Sequence, residues 1–300
     1  MSGWLTKRRW PLPGRMPESG SGYNKPQLSN SLKKNKITVV TPVLNQAQFI
    51  EQTIDSVLSQ GIEDLEYIIL DAGSTDGTVD IIKKHERHLA RWRSHKDAGQ
   101  SSAIHEGFSS ASGDLLCWIN SDDYFEPGAL KRMIGMFDND EQLDLCYGDY
   151  SILLPDGTKE AKLKISFDFE IALLFYLMIP QPSSVWTKRL YDSVGGLDTA
   201  LNYSFDYDFF LRAGQRLQAR PDAIRHVHDL VSVFRIHPES KSVSAQAKFV
   251  SENESIMRKF DNFPTWKRSS FYRRYQMVRT LLRYHSERGM VPTRKDTRKA

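Results

Sequence analysis

From Ile37 onward the chain alternates between two kinds of hydrophobic pattern. Ile37-Thr38-Val39-Val40-Thr41-Pro42-Val43 is β-branched and apolar, which predicts a short buried strand ended by Pro42. Between Ala47 and Gln60, Phe49, Ile50, Ile54, Val57 and Leu58 recur at helical spacing, and Gly61 closes the helix. Glu66 to Leu70 reads as a second buried strand stopping at Asp71. The turn Ala72 to Gly77 then leads into a helix from Thr78 to about His88. A loop around Lys96-Asp97-Ala98-Gly99-Gln100 precedes a helix through Ala103 and Phe108. Leu115 to Ile119 is a further buried strand, ending at Asn120-Ser121-Asp122-Asp123. Strands alternating with helices predict an α/β fold, a mostly parallel sheet flanked by helices.

Three later segments extend the pattern. Ile171 to Ile179 is the longest apolar run, about half what a bilayer crossing needs. It reads as a buried helix, with the lining of a site for a lipid-linked substrate as the alternative. Val231 to Ile236 is strand-like, and His226 and His228 alternate along the same apparent strand, where no third ligand is evident nearby. Phe249 to Tyr284 interleaves aromatic and aliphatic residues with Arg273, Arg274, Arg279 and Arg283. That composition predicts a basic amphipathic helix, packed on the catalytic region or resting on an anionic membrane.

Charge divides the chain into three parts. Residues 1–36 carry eight Lys/Arg and one Glu, with four prolines and a Ser/Gly cluster, and are expected to form an irregular basic arm. There, Trp4 and Trp10 flank Lys7-Arg8-Arg9. Residues 256–300 hold thirteen Lys/Arg against three Asp/Glu, although the whole chain is only +4. The expected organisation is therefore an irregular arm over 1–36, a central α/β domain over 37–245 and a basic helical extension over 246–300. Basic ends suit a polyanion, and a peripheral membrane contact is preferred to nucleic acid because the central region is acidic.

Composition narrows the class. With 300 residues and 40% hydrophobic content, a substantial core can form. Two cysteines, Cys117 and Cys146, cannot build a disulfide framework or a four-thiolate zinc site, and their apolar settings suggest core thiols. No apolar signal segment follows the basic N-terminus, so the expected location is cytoplasmic, with contact at the inner face of the plasma membrane.

The functional signal lies at the ends of the strands. In open parallel sheets, ligands bind beyond the carboxyl ends of the strands. Asn45, Asp71, Asp97, Asp122 and Asp123 all fall at or just past such ends. Neither a dinucleotide-binding glycine fingerprint nor a Walker-type phosphate loop follows the first strand. Phosphate charge then calls for another device, and paired carboxylates with Mg²⁺ or Mn²⁺ supply one. Asp122-Asp123 suits that role, although two acids ahead of Glu126-Pro127 would also favour a helix start.

Taken in order, Val39-Val40-Thr41-Pro42, Asn45, Asp71 to Thr78, Asp97-Ala98-Gly99-Gln100 and Asn120-Ser121-Asp122-Asp123 resemble the family 2 glycosyltransferases of the GT-A fold. Gln181-Pro182-Ser183-Ser184, Val194 to Asp198 and Asp206 to Arg212 continue the likeness, which covers about 37–245. The chain looks most similar to non-processive bacterial enzymes of surface-polysaccharide assembly. The resemblance implies an inverting, metal-dependent transfer of one sugar, a hexosyl group, from a nucleoside-diphosphate sugar to an acceptor hydroxyl. It implies a UDP-sugar donor and a saccharide or lipid-linked saccharide acceptor.

The same resemblance implies roles for particular residues. Asp71 would accept the nucleobase ring N–H, with Thr41, Pro42 and Asn45 lining the nucleoside pocket and Asp97 and Gln100 touching base, ribose or sugar. Asp123 would bind Mn²⁺ or Mg²⁺ directly. Asp122 would lie nearer the ribose or share the ion, and His237 would complete its shell. Asp206 would be the base, with Asp208 its runner-up; Phe205 stands where the family has a preceding acid. Gln181, Ser183 and Asp208 would shape the acceptor or phosphate side, and Lys241 would contact phosphate.

Other classes fit less well. A processive synthase would carry a Gln-x-x-Arg-Trp motif, which is absent. A nucleotidyltransferase would need a Gly-rich basic loop after the first strand. A non-catalytic nucleotide-sugar scaffold would not need Asp206.

Overall fold

Ile37 to Val43 is buried on both faces, and its β-branched run forms the strand on which the rest of the sheet is laid. The computed structural model describes residues 34–175, 179–241, 245–260 and 269–287. All but the last three residues of the expected basic arm lie outside them. In chain order the elements are β1 (Ile37–Val43), α1 (Ile50–Leu58), β2 (Leu65–Asp71), α2 (Thr78–Lys84), β3 (Arg91–Ser94) and α3 (Gln100–Ser109). There follow β4 (Leu115–Trp118), β5 (Tyr124–Phe125), α4 (Ala129–Asp138), β6 (Leu145–Leu153), β7 (Lys159–Lys162) and α5 (Phe169–Phe175). The chain continues through β8 (Ser184–Thr187), α6 (Lys188–Ser193), α7 (Phe205–Leu217), β9 (Ile224–Arg235), α8 (Gln246–Lys259) and α9 (Ser270–Glu287).

The strands form one sheet in the order β3-β2-β1-β4-β8-β6-β9-β5, with β7 paired to β6. β1 runs parallel to β2 and β4, in a register that sets Val43 opposite Asp71 and Val40 opposite Trp118. The strand ends therefore share one edge. β6 and β9 are also parallel, over the longest pairing of the sheet. Antiparallel β8 lies between β4 and β6.

Alternation along the strands sorts their side chains into two cores. Val39 and Val43 of β1, with Leu115 and Cys117 of β4, meet Ile50, Ile54 and Val57 of α1 and Leu130 and Met133 of α4. On the opposite face Val40, Leu116 and Trp118 meet Ile104 and Phe108 of α3 and Phe209 of α7. Gly107 lets α3 approach β1, since a Cβ there would stand 2.8 Å from a Val40 methyl. Cys117 and Cys146 are buried, unbridged thiols.

Several expectations are adjusted. α1 begins at Ile50, not Ala47, because Thr78 Oγ1 and an Asp76 carboxylate oxygen capture the N–H groups of Gln46 and Ala47. The helix from Thr78 ends at Lys84, followed by a 3₁₀ turn over Glu86–His88. β3 was not expected: Arg91-Trp92-Arg93-Ser94 has no buried face and becomes a strand only by pairing with β2. The apolar run from Ile171 is a buried helix as far as Phe175, and 176–178 fall outside the described residues. The basic segment near the C-terminus is two helices, α8 and α9, and 261–268 between them are likewise outside.

Candidate active site

The aligned strand ends open onto a cleft of about 730 Å³. Of the residues singled out from the sequence, Pro42, Asp97, Gln100, Asp122, Gln181, Asp206 and Lys241 line it. They come from the end of β1, from loops after β3, β4 and β9, from the start of α3, from the turn before β8 and from the start of α7.

The loops after β1 and β2 are locked together. Asp71 is fully buried. One of its carboxylate oxygens accepts from the Gly73 and Ser74 N–H groups and from Ser94 Oγ at 2.6 Å, and the other accepts from Ser74 Oγ. The first oxygen is thus fully engaged within the protein, whereas the second, on Ser74 Oγ, keeps acceptor capacity. Asn45 has a positive φ of 52° and clamps the neighbouring loop: its N–H donates to Ser74 Oγ and its side-chain oxygen accepts from Thr75 N–H. Thr41 is buried beneath the cleft, 3.0 Å from the Tyr67 hydroxyl. Asp97 accepts from Gly99 N–H and forms an ion pair with Arg93 at 3.1 Å.

The acid pair after β4 divides by burial. Asp123 is fully enclosed, accepting from Arg235 N–H at 3.0 Å and from the Asn120 side-chain amide at 3.3 Å. Burial, and next the adjoining Asp122 carboxylate, hold it well above the usual carboxylate range. Asp122 is the acid on the cleft wall, and its Oδ2 lies 3.0 Å from His237 Nε2. A polar chain runs back across the cleft from the same loop. Lys241 Nζ donates to Gln100 Oε1 at 2.8 Å, and Gln100 Nε2 donates to Asn120 Oδ1 at 2.8 Å. Burial lowers the Lys241 pKa.

Asp206 is the second residue of α7, with one oxygen accepting from the Tyr207 N–H. Burial pushes its carboxyl up to about 6, an effect that outweighs the backbone hydrogen bonds acting the other way. The loop entering α7 is held from outside the expected catalytic segment. Glu252 of α8 accepts from the N–H groups of Asn202, Tyr203 and Ser204 at 2.9 to 3.0 Å. Sequence reasoning missed this residue, which stands among ordinary helical polar positions.

Thr41, Asn45, Asp71, Asp123 and His237 do not themselves line the cleft, and two further expected residues are engaged elsewhere. Asp208 is fully buried, in an ion-pair network with Arg212 at 2.7 Å and Lys259 at 3.0 Å. Ser183 is buried against the Asp149 carbonyl and the Ser232 hydroxyl. Gln181 does line the cleft, and its amide donates to the Trp118 carbonyl at 2.6 Å.

A further wall of the cleft was also missed. Tyr150 and Ile152 of β6, Lys164 beyond β7 and Phe234 of β9 line it, and Lys164 Nζ lies 5.4 Å from the centre of the Tyr150 ring. The spacing of Tyr150 and Ile152 put them on one strand face, but nothing in the sequence said which face met the cleft.

The sequence profile described as "Glycosyl transferase family 2" matches residues 38–192. The mixed sheet, its flanking helices and the cleft at the strand ends are a GT-A arrangement, shared with solved structures. One is S. aureus TarS 1-349 in complex with UDP-GlcNAc, with a TM-score of 0.57, 18% identity, and 70% of this chain and 61% of that chain covered. Another is glucosyl-3-phosphoglycerate synthase from Mycobacterium tuberculosis in complex with Mn²⁺, uridine-diphosphate and phosphoglyceric acid. Its TM-score is 0.52 at 26% identity, covering 73% of this chain and 78% of that one. In sequence, the chain is 28% identical over 229 residues to the chondroitin synthase of Pasteurella multocida, which covers 74% of this chain but 23% of that protein. The chain belongs to glycosyl transferase family 2. It spans about a quarter of the length of the synthase it matches.

Proposed function

We propose that this chain is an inverting, metal-dependent glycosyltransferase that moves one sugar from a nucleoside-diphosphate sugar to an acceptor hydroxyl in polysaccharide or glycolipid assembly. The observation that carries the reading is one cleft lined both by Asp122, which is paired with His237, and by Asp206, a half-buried carboxyl with a raised pKa. A UDP-hexose is the donor we favour, since a UDP-sugar is bound by one fold neighbour and UDP by another. A saccharide or lipid-linked saccharide is the proposed acceptor.

The donor set at the Asp–His pair suits a hard divalent cation. Asp122 and His237 offer an oxygen and an imidazole nitrogen 3.0 Å apart, backed by the buried Asp123 carboxyl. Mn²⁺ or Mg²⁺ held there would stabilise negative charge gathering on the leaving diphosphate. Lys241, tied to Gln100, places a further positive group on the same side. On the nucleoside side, the interlocked β1 and β2 loops with Pro42 and Asp97 present a preset surface, which limits the ordering cost of donor binding.

Asp206 then acts as general base, taking the acceptor hydroxyl proton as that oxygen attacks the anomeric carbon from the face opposite the departing diphosphate. Its raised pKa places the base near neutrality, where proton transfer is most effective. The far wall with Tyr150 and Phe234 supplies apolar faces for the acceptor sugar. We place the protein at an anionic membrane surface, through the exposed apolar stripe of α9, in keeping with a lipid-linked acceptor. No described helix is long and apolar enough to cross a membrane.

A panel of nucleotide sugars tested by thermal shift with and without Mn²⁺ examines the reading. A UDP-sugar that raises the melting temperature only when Mn²⁺ is present, and not in Asp122→Asn, is expected. No stabilisation by any nucleotide sugar would overturn it.

A further inference from the structure

We propose a second metal site, separate from the cleft acids, formed by Asp149 of β6 with His226 and His228 of β9. Each offers one ligand atom, and these atoms lie within 4.8 Å of one another. The chemistry of the set, two imidazoles and one carboxylate, is that of a first-row transition metal such as Zn²⁺.

An irregularity in the sheet creates the grouping. β6 and β9 pair in steady register from Leu145 opposite Ile224 to Gly148 opposite Val227, and then the register slips, so that Asp149 stands opposite Leu230. The slip leaves His228 and Asp229 on β9 without counterparts, and β-bulges of this kind re-aim side chains. His226 and His228, two apart on one strand, consequently bring their rings to 4.5 Å between centroids. Gly148 permits the bulge, because a Cβ there would lie 2.3 Å from a Val231 methyl.

Two of the three ligands are already held in place. The Asp149 and His226 side chains are 2% and 1% exposed, and Asp149 Oδ1 is 3.0 Å from His226 Nε2. That separation is close to the roughly 3.3 Å edge of a tetrahedron built on zinc–ligand bonds of about 2 Å. Asp149 Oδ1 also accepts from Lys164 N–H at 2.7 Å, and Tyr147 stacks on the His226 ring at 4.9 Å, which fixes both groups. His228, exposed on the bulge, would be the third ligand, with water completing the shell.

The ion would act on the cleft from behind. Asp149 precedes Tyr150, and Lys164 hangs from the Asp149 carboxylate by its backbone N–H; both neighbours line the far wall. Filling the site would fix the bulge on which that wall stands.

Equilibrium dialysis of the purified full chain against Zn²⁺, followed by metal analysis, tests the proposal. One Zn²⁺ per chain is expected in a variant carrying Asp122→Asn and His237→Ala, which removes the cleft donors. In that background, His228→Ala should weaken binding roughly tenfold to a hundredfold. Co²⁺ substituted for Zn²⁺ should give the visible absorption of a tetrahedral site, lost with His226→Gln. His228 is exposed, so its truncation keeps the test open even if the His226 variant fails to fold. Zn²⁺ binding that vanishes with the cleft donors, or that His228→Ala leaves unchanged, would overturn the proposal.

Discussion

Asp206 and Asp208 differ by two positions in α7 and meet opposite fates. Asp208 faces inward and is neutralised by Arg212 and Lys259, whereas Asp206 faces the cleft. Because burial raises the Asp206 pKa to about 6 from a usual value near 4, the carboxyl is protonated in acid and ionised at neutral pH. Its turnover should rise through a limb near pH 6, and Asp206→Asn should remove that limb, lowering turnover by about 10²–10⁴-fold with donor affinity retained. The same shift has a thermodynamic sign. Stability from the uncharged carboxyl is present below pH 4 and is lost as pH rises through 6. Asp206→Asn should thus stabilise the protein above pH 6, by on the order of 1 kcal/mol for a side chain bordering solvent, and not at pH 3. Melting curves at the two pH values check this. The position of Asp206 at a helix start and of Asp122 at a strand end could be read from sequence spacing. The anchoring of Asp71 could not, because it depends on Ser94 arriving from a strand twenty-three residues away.

At the scale of elements, α8 shows how a segment expected to be peripheral can govern the centre. Its Glu252 gathers three consecutive N–H groups just ahead of Asp206, so α8 sets the angle at which α7 enters the cleft. Glu252→Gln should lower the apparent kcat while leaving the donor KM nearly unchanged. It should also reduce stability by about 0.5–1.5 kcal/mol, since the amide keeps one acceptor oxygen and these hydrogen bonds are exposed or half-buried. Urea unfolding with steady-state kinetics separates this positioning role from a purely structural one, which would leave kcat per folded molecule unaltered. Buried strands such as β1 and β4 were legible because both faces demand apolar side chains. β3 and β7 were not. Their residues are mostly exposed, and the force that makes them strands is backbone pairing with a neighbour, which leaves no hydrophobic period to read.

For the molecule as a whole, exposed apolar surface is unevenly placed. Tyr275, Met277, Val278 and Leu282 of α9 are 39% to 56% exposed, while the helix is anchored through Arg279 to Asp168 and Gln276 to Glu170. Tyr275, Val278 and Leu282 are spaced to form one stripe, beside exposed Arg274. An anionic lipid surface matches both the stripe and the basic ends of the chain. Co-sedimentation with phosphatidylglycerol-containing vesicles should be several-fold greater than with neutral ones, and Leu282→Glu should abolish the difference; equal recovery with both lipids would remove the membrane reading.

The far margin of the sheet carries a separate consequence. β3 is the last strand beyond β2, and its basic side chains are gripped by Glu106 of α3. A terminal strand offers unsatisfied backbone groups to any passing chain, and flanking positive charges repel a second copy of themselves. Arg91, the more exposed of the two arginines, would then discourage edge-to-edge pairing, and replacing it with threonine should increase light scattering as the protein is concentrated.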